Sequence, residues 1–225
     1  EILDLCLACK GCRSECPSGV DIAKLKSEFL QQYNDVHPPS LRTRMIASLP
    51  KIYGLFSFIP GIFNFFAANK FSSLIIKKVT GFASERSIPL LAPVTFRKWL
   101  KRNLPKLNPA DPAGEVCLFV DEFTNHNDLS AGIATARLLT GLGYRITVTG
   151  NAASARTYIS KGFLRKARKL ITSNIEVFAS LVSDDRPLVG IEPSAILGFR
   201  DEFPDLAGDE LRPEALRLAQ HTYTL

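Results

Sequence analysis

Apolar residues recur every third or fourth position over residues 21–33, where Ile22, Leu25, Phe29 and Leu30 share one side of a helix and Asp21 can cap its start. His37, Pro38 and Pro39 stop that helix, and a shorter one is predicted over 41–47. The pattern then loses its polar half. Residues 52–69 contain no charge and carry Phe56, Phe58, Phe63, Phe65 and Phe66. Eighteen uncharged residues meet the lower length limit for a membrane span. Pro60 and Gly61 interrupt the hydrogen-bond ladder in the middle and Asn64 adds a polar group, so a spanning helix is not expected. Two readings remain. The segment packs as buried helices over its own domain or against further polypeptide, or it lies in a membrane interface. In the second case Phe side chains enter the headgroup boundary while Arg42, Arg44, Lys51, Lys70, Lys77 and Lys78 meet anionic lipid. Packing is the preferred reading.

Residues 81–112 are rich in Pro and cations and read as a connector with one short helix over 95–100. Beyond residue 113 the pattern becomes regular. An apolar run at 116–120 precedes a helix over 128–142 with Leu129, Ile133 and Leu139 inward and Gly143 as its stop. A second run at 145–149 leads to one long helix over 158–182, whose stripe is Ile159, Phe163, Ala167, Ile171, Ile175, Phe178 and Val182. A third run at 187–191 leads to a helix from Ser194. This alternation predicts an α/β chain: a mostly helical N-terminal part, then a small βαβαβ domain with a parallel sheet. The expected divisions are 1–36, 37–112 and 113–225.

Ligands of open parallel sheets collect at the carboxyl ends of the strands. Those ends carry Asp121 and Glu122, then Asn151 and Arg156, then Glu192, Pro193 and Ser194, with His126 and Asn127 in the first loop. Asp121, His126, Arg156, Glu192 and Ser194 are therefore the candidate cleft. The structural alternative makes Ser194 a helix cap, Pro193 a turn residue and Glu192 the partner of Arg156 or Arg200. No G-x-G-x-x-G follows the first strand and no G-x-S-x-G occurs, so neither a dinucleotide site nor a serine nucleophile is supported and no catalytic residue is assigned. Cys117, inside the first strand, is expected to be an inert core thiol.

Cys6, Cys9, Cys12 and Cys16, followed by Pro17, spell C-x2-C-x2-C-x3-C-P, the run with which bacterial ferredoxins hold 4Fe-4S clusters. In two-cluster ferredoxins the fourth cysteine serves the neighbouring cluster, which assigns Cys6, Cys9 and Cys12 to one cluster and Cys16 to another. Lys10 and Gly11 suit the tight loop, Gly11 through its access to backbone conformations closed to other residues. Zinc is disfavoured because no second ligand pair exists and His37, His126 and His221 are scattered; disulfides between such close cysteines would be strained. The chain opens at Glu1, five residues before the first cysteine, and reads as a piece of a longer polypeptide that alone holds a cluster poorly. Net charge is +6 and the pI about 9.1, but the cations are dispersed and no groove-reading motif is present, so nucleic acid is not an expected partner.

The cysteine run followed by SGVDIAKLK, then FVDEFTNHND, ISKGFLRKA and GIEPSAILGFRDEF, resembles the iron-sulfur part of bacterial FAD-linked oxidases, including D-lactate, glycolate and related 2-hydroxyacid dehydrogenases. The C-terminal domain is also similar to the CCG domains of heterodisulfide reductases. The resemblance implies electron transfer from a flavin, FAD in an upstream domain, through 4Fe-4S clusters to an acceptor such as a quinone at the membrane surface. Exposed clusters and free thiols suit the cytoplasm, so the protein is expected there, at the inner face of the membrane if its acceptor is membrane-bound; the alternative function is a docking module with a structural cluster. CCG domains place cysteines where this chain has Ala153, Ser154, Ala155 and Arg156, and again where it has Glu192, Pro193, Ser194 and Ala195. Without those thiols the domain is expected to be a scaffold that has lost its metal.

Overall fold

The computed structural model describes residues 2–150 and 153–225, without the side chains of Ile2 and Asp4; Asn151, one of the residues expected at a strand end, lies outside them. A 3-10 turn at Ile2–Leu5 leads into the cysteine loop and a single helical turn, α1 (Gly11–Glu15). Asp21 Oδ1 accepts the Lys24 N–H at 3.1 Å and opens α2 (Ile22–Val36), which ends one residue before the His37-Pro38 step. Helix α3 (Leu41–Ala47) matches its expected span. The Phe-rich stretch forms α4 (Leu49–Phe56) and α5 (Pro60–Ala68), bent by 117° against each other. Pro60 starts α5, where its missing N–H has no carbonyl to serve in any case. Asn69 caps α6 (Lys70–Thr80), a helix not among those expected from the sequence pattern. Among the described residues no single helix is long and apolar enough to cross a membrane.

Within this chain the packing expectation holds for only part of the Phe-rich stretch. Tyr53 and Ala67 are buried, whereas Phe58 is 87 % and Phe65 64 % exposed. Helices α3 to α6 and the segment after them surround an apolar cavity of about 660 Å³ between Tyr53, Phe56, Phe63 and Phe82. The connector helix α7 (Phe96–Leu107) runs well past the expected residue 100, and Pro105 falls in its last turn.

Four strands, β1 (Gly114–Phe119), β2 (Tyr144–Thr147), β3 (Leu188–Gly190) and β4 (Thr222–Thr224), form one sheet in the order β2-β1-β3-β4, parallel throughout. Three were expected; β4 escaped because three residues, two of them threonines, carry no periodic signal. Helices α8 (Glu122–His126) and α9 (Leu129–Gly141) join β1 to β2. Helices α10 (Arg156–Ser160) and α11 (Leu164–Ala179) join β2 to β3. After β3 come α12 (Pro193–Ile196), α13 (Glu202–Leu206) and α14 (Arg212–Gln220). Alternation along β1 splits the core: Cys117 and Phe119 join Ile171, Ile175, Phe178 and Phe199, while Val116, Leu118 and Val120 pack with Phe96, Leu100 and Ile146.

The single helix expected over 158–182 divides at Gly162, whose φ is +69°. Its stripe is intact, with Ala167, Ile171, Ile175 and Phe178 fully buried. The break admits α2. A Cβ on Gly162 would lie 2.3 Å from Leu30 Cβ and 2.9 Å from the Gln31 nitrogen. Asn34 Nδ2 donates to the Lys161 carbonyl at 3.0 Å, and Gln31 Oε1 accepts the Arg165 N–H at 3.1 Å. Two side chains of α2 thus satisfy backbone groups that the interruption sets free.

Candidate functional site

The cysteine loop lies against the loop that leaves β3. Backbone strain falls on Ala8 and Lys10, with φ of +54° and +61°, and not on Gly11, which opens α1. The expectation that Gly11 supplies the unusual conformation is therefore corrected. All four loop thiols are free. The Ala8 N–H donates to Cys6 Sγ at 3.4 Å. Backbone N–H groups of Val20, Ser18 and Gly19 turn toward the Cys16 sulfur and lower its pKa, Val20 contributing most. Such donors stabilise a thiolate. Among the described residues, no three Cys, His, Asp or Glu side chains converge where a metal ion could sit.

Ion pairs fasten this loop to the α/β domain. Lys10 and Arg13 reach Asp201, Arg13 at 3.0 Å, and Lys10 Nζ lies 2.7 Å from Glu202 Oε1. Lys24 of α2 bridges Asp201 and Asp205, both at 2.6 Å. Partial burial pushes the Asp201 pKa up, but hydrogen bonds from Lys10 and Lys24 outweigh it and hold the carboxyl at about 2. Behind this knot Arg156 donates to Glu202 Oε1 at 3.0 Å, and its N–H bonds Ser154 Oγ at 3.2 Å. Ser154 in turn gives its own N–H (2.9 Å) and hydroxyl (2.8 Å) to Glu122. A continuous polar chain thus runs from the end of β1 to Lys10. Between the two parts opens a cleft of about 490 Å³, bordered by Cys9, Lys10, Arg13, Arg156, Ser194 and Arg200.

The cleft brings together Cys9, Arg156 and Ser194 from the residues singled out in the sequence. Glu192 caps α12 and accepts from the Ser194 hydroxyl at 2.8 Å, so the cap is Glu192 and not Ser194; Arg156 pairs with Glu202 and not with Glu192. Asp121 is buried as the cap of α8, its Oδ1 accepting from Phe123 and Thr124 N–H. Its Oδ2 has no hydrogen-bond partner among the described residues, and burial raises its pKa. Cys117 is fully buried and burial pushes its thiol up to about 11, as expected of an inert core residue.

His126 belongs to a different place. It joins α8 to the end of α4, with Nδ1 2.7 Å from Ser57 Oγ and Nε2 3.0 Å from Asn125 Nδ2. Ser57 spends its own proton on the Tyr53 carbonyl at 2.5 Å. The pattern selects a neutral ring that donates from Nδ1 and accepts at Nε2. Burial, with help from the Arg97 charge, lowers its pKa to about 4. Because the folded pKa lies below the unfolded value near 6.5, the stability this joint contributes is present above about pH 6.5 and is lost as pH falls toward 4. The loss is about 1–2 kcal/mol for a ring still partly open to solvent. A ring-proton titration should place the midpoint near pH 4, and His126→Gln should flatten the stability profile across that window.

The architecture is a parallel α/β domain with a cysteine-bearing helical arm clamped to the carboxyl end of its sheet. Proteins similar to it over nearly its whole length are D-2-hydroxyglutarate dehydrogenases. That of Pantoea ananatis is 26 % identical over 218 residues, covering 93 % of this chain and 21 % of the relative. That of Escherichia coli is 26 % identical over 219 residues, with the same coverage. The Pseudomonas putida protein is 28 % identical over 220 residues, covering 94 % of this chain and 22 % of its own length. The chain thus spans about a fifth of the length of the curated relatives it matches. No protein-family model matches the chain, and no solved structure is significantly similar to it.

Lys10, Arg13, Asp201 and Glu202 make the site and were not picked out as site residues from the sequence. Lys10 and Arg13 lie 191 and 188 positions from Asp201, and adjacent acids such as Asp201 and Glu202 give no signal by themselves.

Proposed function

We propose that this chain is the electron-transfer region of an FAD-linked oxidoreductase acting on a 2-hydroxyacid of the D-2-hydroxyglutarate kind. Cys6, Cys9 and Cys12 hold one 4Fe-4S cluster and Cys16 reaches a neighbouring one. The observation that carries the reading is the C-x2-C-x2-C-x3-C-P run with all its thiols free, in a chain similar almost end to end to dehydrogenases. Bound clusters supply one-electron carriers between a flavin and an acceptor.

The donor chemistry fits: thiols on a short loop, with backbone N–H groups already facing the Cys6 and Cys16 sulfurs. Cys6, Cys9, Cys12 and Cys16 would be the ligands of the clusters, and convergence of their sulfurs would be coupled to metal binding, as it is where a site is not preformed. Lys10 and Arg13, paired with Asp201, hold the loop against the α/β domain. That domain, 113–225, acts as scaffold; Ser154 and Glu122 fill with hydrogen bonds a place where CCG domains carry thiolates. The arm, 1–36, offers the flavin domain an apolar face made by Leu5, Leu7, Leu25, Phe29 and Val36, all more than half exposed. Residues 37–112 connect the two on the cytoplasmic side.

The test uses the flavin-bearing polypeptide. Under anaerobic conditions, D-2-hydroxyglutarate should bleach the flavin and bring up cluster signals in electron spin resonance, and Cys12→Ser should remove one of those signals. A bleached flavin beside clusters that stay oxidised overturns the relay and leaves the docking role.

A further inference from the structure

We infer that α5 and α6 form a pad that docks on an anionic lipid bilayer, a surface distinct from the cysteine cleft. The polarity of α6 is inverted for a water-soluble fold. It turns Ser73 and Thr80 inward, both buried, and presents Phe71, Leu74, Ile75 and Val79 to solvent, with Phe71 75 % exposed. Those four residues keep helical spacing, so the outward stripe is continuous along one side. Helix α5 adds to the apolar surface: of its residues only Ala67 is buried, while Ile62, Phe65 and Phe66 are each more than half exposed, Ile62 and Phe66 also bordering the apolar cavity.

Charge decides which partner the pad fits. From residue 36 to residue 84 there is no Asp or Glu, and the segment holds Arg42, Arg44, Lys51, Lys70, Lys77 and Lys78. The other 22 Lys and Arg of the chain are matched by its 22 Asp and Glu, so the whole net charge of +6 resides in the segment that carries the pad. The exposed apolar face of α2 differs in charge, for there Glu28 and Asp35 accompany the exposed Leu25 and Phe29. Cations without acids beside outward Phe and Leu are the composition that lies in a headgroup layer. The apolar cavity, bordered by Arg42, Lys77 and Arg86, lies next to the pad and has room for a lipid tail beneath a headgroup anion. Both helices are too short to span a bilayer, which sets the depth of contact at the interface. This inference stands on exposure and charge and does not depend on the cluster reading.

The test is vesicle co-sedimentation of the chain with phosphatidylcholine alone and with one-third phosphatidylglycerol. Binding to the anionic vesicles should be at least about tenfold tighter and should weaken by about tenfold between 0.1 and 0.5 M salt. Phe65→Ser with Phe71→Ser should lose binding by about tenfold while the circular dichroism stays that of the parent, since both side chains are exposed. Lys77→Glu with Lys78→Glu should abolish the preference for anionic lipid. Equal binding to both vesicle types, binding unchanged by either pair, or a dimer that buries the pad and ignores vesicles overturns the inference.

Discussion

Gly162→Ala is expected to lose about 3–4 kcal/mol of folding stability and to release α2, together with the cysteine loop it carries, from the α/β domain. Two costs combine. At φ +69° a side chain is strained by about 1 kcal/mol. The new methyl would also meet the Leu30 backbone carbonyl carbon at 2.6 Å and the Gln31 nitrogen at 2.9 Å, contacts relieved only by moving the helix. Gly208→Ala separates the two costs, because Gly208 also has a positive φ, +80°, but no atom lies within 4 Å of its added Cβ. It should lose only about 1 kcal/mol. Urea unfolding measures both losses, and a thiol reagent should label Cys6, Cys12 and Cys16 faster in the Gly162 variant alone. If both variants lose the same stability, α2 is not seated as described.

The second large effect lies at Arg97. Its guanidinium donates to the Thr149 carbonyl at 2.5 Å and the Val120 carbonyl at 3.0 Å, and its charge faces the buried Asp121. Burial lowers its pKa to about 10, so it stays charged near neutrality. Arg97→Met leaves Asp121 without that cation and should cost about 3 kcal/mol at pH 7. The pH profile identifies the cause. Burial already holds the Asp121 pKa above its unfolded value, so this carboxyl detracts from stability once pH rises through that range. Loss of Arg97 enlarges the penalty at neutral pH and leaves it nearly unchanged in acid, where Asp121 is protonated. The deficit should therefore shrink as pH falls through the range where the buried Asp121 takes up its proton, and the His126 midpoint should rise, since Arg97 helps to depress it. A deficit that is flat with pH would assign the loss to packing.

Periodicity announced α2, α3, α9 and the first three strands, since each carries a helical stripe or an apolar run, although the stripe that marks α2 leaves Leu25 and Phe29 facing outward in this chain. It failed where a tertiary contact overrides the local pattern. The stripe through Ile159, Phe163 and Ala167 reads as one helix, and only the arrival of Leu30 explains the turn at Gly162. Polar Ser73 and Thr80 on the inner side of α6 concealed that helix in the opposite way, by reversing the usual assignment of faces. For the candidate site, the thiols were legible as a spaced motif, and Cys117 as core. Asp121, His126 and Glu192 were chosen by their place at strand ends, yet each is occupied structurally, as a cap or a joint, by contacts that strand position alone does not reveal.

Lys10, Arg13 and Lys24 all converge on the one carboxylate of Asp201. Exchange of any one cation leaves two on that carboxylate, whereas exchange of the acid loosens all three at once, leaving Lys10 to Glu202, Lys24 to Asp205 and Arg13 with no carboxylate among the described residues. Genetic drift should therefore wear away the basic positions singly, with little penalty at each step, and spare the acidic hub, an asymmetry to look for when sequences of this kind are compared.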